Sequence, residues 1–161
     1  IVLKIVHPPM GRLATLKSPY RTIITHSSRP MLGVPAKATQ FQRALLAYDG
    51  SELAKEALFV ATYLAEMWKT NLIVFSALES GKIKNDIQDY VRRYLEVHEV
   101  HADYIAIETN SKEGLKNVIE ERHVDLVLMG GYSGSVFREV FIGSSLDYML
   151  RESRLPTFFC R

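Results

Sequence analysis

The sequence predicts an α/β fold in which a parallel sheet of five strands is covered by helices on both faces. From residue 42 onward, short apolar runs alternate with amphipathic segments of helical spacing. The apolar runs are continuous and show no in-and-out alternation, which is typical of strands buried on both faces of a parallel sheet. Turn and cap residues separate the runs at regular intervals, so the whole region is consistent with one domain.

The predicted elements follow one another in a strand–helix order. Ser51 is predicted to cap the first helix, and Asn85 to open the second, whose apolar face includes Ile87. Asn110 and Glu113 resemble a capping box for the third helix. The fourth helix is predicted over residues 146–153, and the strands over 43–48, 71–77, 103–108, 124–129 and 157–160.

Residues 1–40 do not follow this alternation, and we predict no complete strand–helix unit within them. Residues 21–32 nevertheless match residues 147–158 in pattern: helix end, polar corner, proline, apolar strand. This offset of 126 residues indicates the tail of one domain copy followed by a second copy, with coincidence as the alternative. We therefore divide the chain into residues 1–40, a tail and linker, and residues 41–161, a whole domain.

Composition excludes several classes of function. The net charge is only +2, and no basic cluster is interleaved with aromatic residues, so we expect no nucleic-acid partner. The five histidines and Cys160 do not have metal-ligand spacing. No apolar run is long enough to span a bilayer, so we expect no membrane partner. A single cysteine cannot form an internal disulfide, which favours a reducing, cytoplasmic location.

A glycine-rich stretch is the candidate binding motif. Gly130, Gly131 and Gly134 follow the predicted strand 124–129, and Gly143-Ser144-Ser145 opens the last helix. Backbone without Cβ atoms and unpaired N–H groups at a helix start suit a phosphate, whereas a tight turn is the alternative for the first three glycines. Because the chain has no P-loop and no argued catalytic constellation, we predict binding without a dedicated catalytic activity.

Residues 40–161 resemble the universal stress protein family. The resemblance rests on Ala47-Tyr48-Asp49-Gly50-Ser51, on Tyr94-Leu95-Glu96-Val97-His98, on residues 125–131, and on the stretch from Gly143 to Pro156. It implies a Rossmann-like fold of the adenine nucleotide alpha hydrolase type, with ATP or ADP as ligand. Mg²⁺ is a candidate companion held through the phosphates rather than by a protein cage.

The resemblance also implies which residues face the nucleotide. ATP-binding members carry Gly, two residues, Gly, nine residues and Gly-Ser. Counting from Gly130, the spacing holds but Ser133 replaces the second glycine; counting from Gly131, Gly134 fits but only eight residues precede Gly143. Asp49 can serve the nucleotide, a turn or both. The expected nucleotide contacts are Ala47, Asp49, Ala77, Met129, Gly130, Gly131, Ser133, Gly134, Gly143, Ser144 and Ser145.

The expected function is that of a stress-response regulatory module in which the bound nucleotide is the signal. The alternative is a family member without nucleotide that acts as a dimeric interaction scaffold, and Ser133 favours it. A synthetase or flavoprotein on a related fold would need further catalytic segments. Because Lys17 replaces the glycine of Gly143, the site of the first copy is expected to be broken. Strands 31–34 and 157–160 are expected to pair antiparallel, in a homodimer or a tandem pseudo-dimer.

Overall fold

A computed structural model describes residues 1–5, 19–35, 39–78, 87–131 and 145–160. Within these residues the chain forms seven strands and five helices. The strands are β1 (Val2–Lys4), β2 (Met31–Val34), β3 (Arg43–Ala47), β4 (Asn71–Ala77), β5 (Ala102–Ile107), β6 (Leu126–Gly130) and β7 (Thr157–Cys160). The helices are α1 (Pro19–His26), α2 (Glu52–Trp68), α3 (Asp89–Val97), α4 (Ser111–Glu121) and α5 (Ser145–Arg151).

All seven strands belong to one sheet, in the order β1-β2-β7-β6-β3-β4-β5. Every neighbouring pair is parallel except β2 and β7, which are antiparallel. The predicted α/β class is confirmed, and β3 to β7 are the five parallel strands expected. The sheet is larger than predicted because β1 and β2 extend it beyond β7.

Helices cover both faces of the sheet, as predicted. On one face, α2 and α3 pack against a core that includes Leu46, Val74 and Leu128. On the other face, α1, α4 and α5 pack against Leu45, Ile73 and other apolar residues of the sheet. The order in which strands are added to the sheet changes direction at β3. β4 and β5 lie on one side of β3, and β6 and β7 lie on the other. Such a switch point creates a crevice at the carboxyl ends of the strands.

Local capping explains where the long helix begins. Gly50 has φ +77°, a conformation that side chains rarely adopt, and Ser51 then accepts the Ala54 N–H at 3.2 Å. Lys69 ends α2 in the left-handed conformation. The predicted caps at Ser51 and Asn110 are confirmed, but Asn110 accepts the Lys112 N–H at 3.0 Å rather than the Glu113 N–H that a capping box would use.

The second helix of the domain begins later than predicted. Ile87 and Gln88 form a turn and α3 starts only at Asp89, while Asn85 lies outside the described residues. The physical reason is that the Gln88 side chain is directed into the sheet, where Nε2 donates to the Ile105 C=O at 3.0 Å. Gln88 consequently makes no side-chain cap bond to the helix.

The prediction that residues 1–40 lack a strand–helix unit is wrong. β1 and β2 are parallel neighbours with α1 between them along the chain, as β6 and β7 are with α5. We call β1–α1–β2 the N-terminal unit and β6–α5–β7 the C-terminal unit. The two units match at the same 126-residue offset. Matching hydrogen bonds occur in both, from the Ile5 N–H to the Val34 C=O at 2.8 Å and from the Gly131 N–H to the Cys160 C=O at 2.7 Å.

The two units meet through antiparallel pairing of β2 and β7, which we call the seam. Leu32 lies opposite Phe158, and these two residues occupy the same position in the repeat, so a pseudo-twofold axis passes between them. The expected antiparallel pairing of strands 31–34 and 157–160 is confirmed within one chain. A homodimer through these strands and the division into domains at residue 40 stay predictions.

Packing at the seam is asymmetric in detail. A Cβ atom on Gly33 would lie 3.1 Å from the Phe159 ring, and would collide with the Cδ1 atom of Ile5. The repeat equivalents of Gly33 and Ile5 are Phe159 and Gly131. The N-terminal unit therefore has a large residue at position 5 and a glycine at position 33. The C-terminal unit has a glycine at the equivalent position 131 and a large residue at position 159.

Candidate functional site

The carboxyl ends of β3, β4 and β6 bring five predicted site residues to one edge of the sheet, which we call the carboxyl edge. Ala47 ends β3 and pairs with Met129 of β6 on one side. On its other side it pairs with Phe75, two residues before Ala77 at the end of β4. Asp49 follows β3 directly, and Gly130 ends β6. These five residues therefore lie at one end of the sheet, and their contact with a nucleotide stays a prediction.

Asp49 has a structural role in this geometry. Its Oδ1 atom accepts the Ser51 N–H at 2.9 Å, which fixes the turn that leads into α2. The residue is exposed, and within the described residues its Oδ2 atom has no recorded partner. The turn interpretation of Asp49 is therefore confirmed, and one carboxylate oxygen remains available at the carboxyl edge.

Ala77 presents backbone groups at the same edge. Leu78 donates its N–H to Ile107 on β5 at 2.8 Å, so the groups of the preceding residue point toward β3 because successive residues alternate. Within the described residues, no backbone hydrogen bond joins the Ala77 N–H or C=O to the residues that follow β3. Ala77 thus offers one donor and one acceptor toward the side of the sheet where Asp49 follows β3.

A buried polar network supports this edge, and sequence analysis did not find it. Ser76 Oγ donates to the Tyr48 C=O at 2.8 Å, and Gln88 Nε2 lies 3.1 Å from Ser76 Oγ. Ser76 and Gln88 are both buried. The only sequence signal is that each is a polar residue within an otherwise apolar pattern, which does not reveal its partners.

Burial also fixes the ionisation of Tyr48. Desolvation raises the pKa of the Tyr48 hydroxyl to about 12, with smaller contributions from Tyr90, Asp49 and Glu52. The side chain is therefore neutral at physiological pH. It provides apolar surface under the carboxyl edge rather than a charge.

Gly130 and Gly131 are needed for contacts within the protein. A Cβ atom on Gly130 would lie 2.9 Å from the Leu53 Cβ atom and 3.0 Å from the Leu53 carbonyl carbon in the first turn of α2. One on Gly131 would lie 3.0 Å from the Cγ2 atom of Ile24 in α1. Neither glycine has a positive φ, so neither is required by an unusual backbone conformation, and the tight-turn alternative stays a prediction because residues 132–134 lie outside the described ones. Close packing of helices explains them.

The remaining predicted residues of the glycine motif are only partly described. Ser145 is the first residue of α5 and is half-buried, in agreement with the predicted helix start. Ser133, Gly134, Gly143 and Ser144 lie outside the described residues. Lys17, which sequence analysis aligned with Gly143, also lies outside them.

Neither a metal-binding cluster nor a membrane-spanning helix occurs within the described residues. No group of three or more His, Cys, Asp or Glu residues could hold a metal ion there. None of the described helices combines the length and the apolar character needed to cross a bilayer.

Comparison with known proteins shows which fold this is. A universal stress protein from Archaeoglobus fulgidus superposes with a TM-score of 0.69 at 19% identity, over 99% of this chain and 59% of that structure. One from Burkholderia pseudomallei superposes with a TM-score of 0.54 at 20% identity, over 76% of this chain and 98% of that structure. The fold is the Rossmann-like fold of universal stress proteins.

Sequence comparison agrees with the fold. No protein-family model matches the chain. A curated universal stress protein of Synechocystis is 25% identical over 144 residues, which are 86% of this chain. The chain spans 49% of the length of that relative. Sequence and fold are both similar to those of universal stress proteins, which supports the predicted resemblance to the UspA-like family.

Proposed function

We propose that this chain binds an adenine nucleotide, ATP or ADP, at the carboxyl edge and acts as a stress-response regulatory module. The observation that carries the proposal is that no backbone bond joins the Ala77 N–H and C=O to the end of β3, at the switch point of the sheet where Asp49 follows β3. The N–H donor and C=O acceptor of one residue complement the N1 acceptor and N6 donor of adenine. Asp49 lies where it could accept a hydrogen bond from a ribose hydroxyl.

A structural neighbour adds support for a nucleotide. A universal stress protein in complex with cAMP superposes with a TM-score of 0.59 at 14% identity, over 76% of this chain and 98% of that structure. Its ligand shares the adenosine part with ATP and ADP. We extend to this chain only the class of ligand, an adenine nucleotide.

The phosphates would extend from the carboxyl edge toward the glycine motif. Ser145 would contribute its hydroxyl, and Ser133, Gly134, Gly143 and Ser144 are the proposed remaining contacts. Mg²⁺ would be held by the phosphates and water, because this ion characteristically keeps its waters and takes few protein ligands. We propose no dedicated catalytic role, so the bound nucleotide rather than its turnover is the signal.

Calorimetric titration of purified, nucleotide-stripped protein with ATP, ADP and GTP tests this proposal. We expect ATP and ADP to bind and GTP to bind at least about tenfold more weakly, since guanine reverses the donor and acceptor of adenine. Gly143→Val should abolish binding and leave the circular dichroism spectrum unchanged. Failure of the wild-type protein to bind ATP or ADP would contradict the proposal.

One observation favours the alternative function, an interaction scaffold without nucleotide. Gly130 and Gly131 are explained by Leu53 and Ile24, so two of the motif glycines do not require a phosphate. The same titration separates the two functions. A scaffold would bind no nucleotide in the titration, and the wild-type protein and Gly143→Val would then give the same result.

A further inference from the structure

The hydrogen-bond ladder between β3 and β4 is interrupted at its carboxyl end. Within the ladder the Tyr48 N–H donates to the Phe75 C=O at 2.8 Å, and bonds between parallel strands recur every two residues. The next step would join the Ala77 N–H to the Tyr48 C=O. In the described residues the Tyr48 C=O accepts the Ser76 hydroxyl at 2.8 Å instead.

Gln88 fixes the direction of the Ser76 hydroxyl. A serine hydroxyl has a single hydrogen, so an amide that donates to its oxygen leaves that hydrogen for another acceptor. Gln88 Nε2 lies 3.1 Å from Ser76 Oγ and 3.0 Å from the Ile105 C=O, which holds the amide over the β4–β5 pair. The Ser76 hydrogen is consequently directed at the Tyr48 C=O.

This arrangement provides a hydrogen-bond donor for the Tyr48 C=O. Tyr48 is buried, and a buried carbonyl without a partner is unfavourable. Because Ser76 supplies the missing donor, β3 and β4 separate after Tyr48 without leaving that carbonyl unsatisfied. The Ala77 N–H is then not needed in the sheet.

We infer that Ser76 and Gln88 are positioning residues that keep the N–H and C=O of Ala77 free for the base of a bound nucleotide. The inference rests on the proposed function and adds residues to it that the family resemblance does not supply. Removal of the Ser76 hydroxyl leaves the Tyr48 C=O with one donor in register, the Ala77 N–H. The ladder would then close by one step and the binding edge would be lost.

Ser76→Ala tests this inference with two independent readouts. The first is amide hydrogen exchange of Ala77 in the ligand-free protein, measured by NMR. In the wild-type protein the Ala77 amide should exchange about 100-fold faster than that of Phe75, which lies within the ladder. In Ser76→Ala it should become at least about tenfold slower.

The second readout is affinity for ATP compared with tripolyphosphate, which lacks the base. Ser76→Ala should lower the affinity for ATP about tenfold, which is the effect of one lost hydrogen bond. The affinity for tripolyphosphate should stay unchanged. Ser76→Thr keeps a hydroxyl and should restore both readouts.

The matched control is Ser153→Ala. Ser153 is also a buried serine, and it lies just after the C-terminal end of α5, where its Oγ accepts the Leu155 N–H at 3.2 Å. This variant should change neither the exchange of Ala77 nor the affinity for ATP. If Ser76→Ala fails to fold, Gln88→Met removes the second member of the network and should give the same two changes.

The two readouts separate the inference from the proposed function. Slow exchange of Ala77 in the wild-type protein, or unchanged exchange in Ser76→Ala, would overturn the inference even if ATP binds. Equal losses of ATP and tripolyphosphate affinity would also overturn it. Fast exchange that slows in Ser76→Ala supports the inference, and failure of the wild-type protein to bind ATP would then contradict the proposed function alone.

Discussion

The N-terminal and C-terminal units share a fold and a strand register but differ in what covers them. Helix α2 packs on β6 and β7 of the C-terminal unit, where Leu128 is 0% exposed. The repeat equivalent of Leu128 is Val2, which is 70% exposed among the described residues. The equivalent of Gly130, which is in contact with α2, is Lys4. The comparison shows that neighbouring elements, rather than the local fold, determine which residues each unit tolerates.

The largest effect is expected where the two units contact each other. Phe159→Ala should lower the free energy of unfolding by about 3–5 kcal/mol, because a buried ring is removed from both the core and the surface of Gly33. Chemical denaturation measures this change. Leu32 is half-buried on the other face of the seam, so Leu32→Ala should lower the free energy of unfolding by a smaller amount. Equal losses in the two variants would contradict the deeper burial of Phe159 at the seam.

A smaller effect is expected at the position that most distinguishes the units. Gly130→Val should lower the free energy of unfolding by about 1–3 kcal/mol, since the new side chain would collide with the backbone of Leu53. Lys4→Ala, at the equivalent exposed position, should change stability by less than about 0.5 kcal/mol. Thermal and denaturant unfolding of both variants measure the difference. Comparable losses would show that both units are covered by a helix in the same way.

Cysteine reactivity distinguishes the two units without a large change in stability. Cys160 is buried, and burial raises the pKa of its thiol to about 12, with a further contribution from Glu56. The folded protein should therefore react with Ellman's reagent at pH 8 only as fast as it unfolds. In a Cys160→Ala background, Val34→Cys at the half-buried equivalent position should react much faster. Both should react completely in guanidinium chloride, and similar rates in the folded state would contradict the comparison.

The sequence predicted the fold of the domain well because its strands are continuous apolar runs. The bounds of β4 and β7 agree with the prediction residue by residue. β1 was missed because three residues carry no measurable periodicity, and this strand exists through its pairing with β2. The start of α3 was misplaced because Gln88 bonds to distant strands, which local capping rules do not include.

The candidate site was predictable only where it follows the ends of strands. Asp49, Ala77 and Gly130 meet at one edge because parallel topology requires it. The role of Ser76 depends on a missing hydrogen bond between β3 and β4, and only the folded structure shows which ladder bonds are absent. The glycines were predicted as positions where a phosphate approaches the backbone, which stays a prediction. In the structure, the group that approaches Gly130 is α2 and the group that approaches Gly131 is α1.

The exchange of large and small residues across the seam has an evolutionary consequence. In a duplicated sequence, gene conversion tends to make the two copies identical. A copy of the N-terminal unit in the C-terminal position would place glycine at position 159, which removes the ring beside Gly33, and Ile at position 131, where even a Cβ atom would lie 3.0 Å from Ile24. The reverse transfer would place Phe at position 33, beside the Phe159 ring, and glycine at position 5. Ile5, Gly33, Gly131 and Phe159 therefore form a set whose sizes are matched across the two units, and this favours divergence of the two copies.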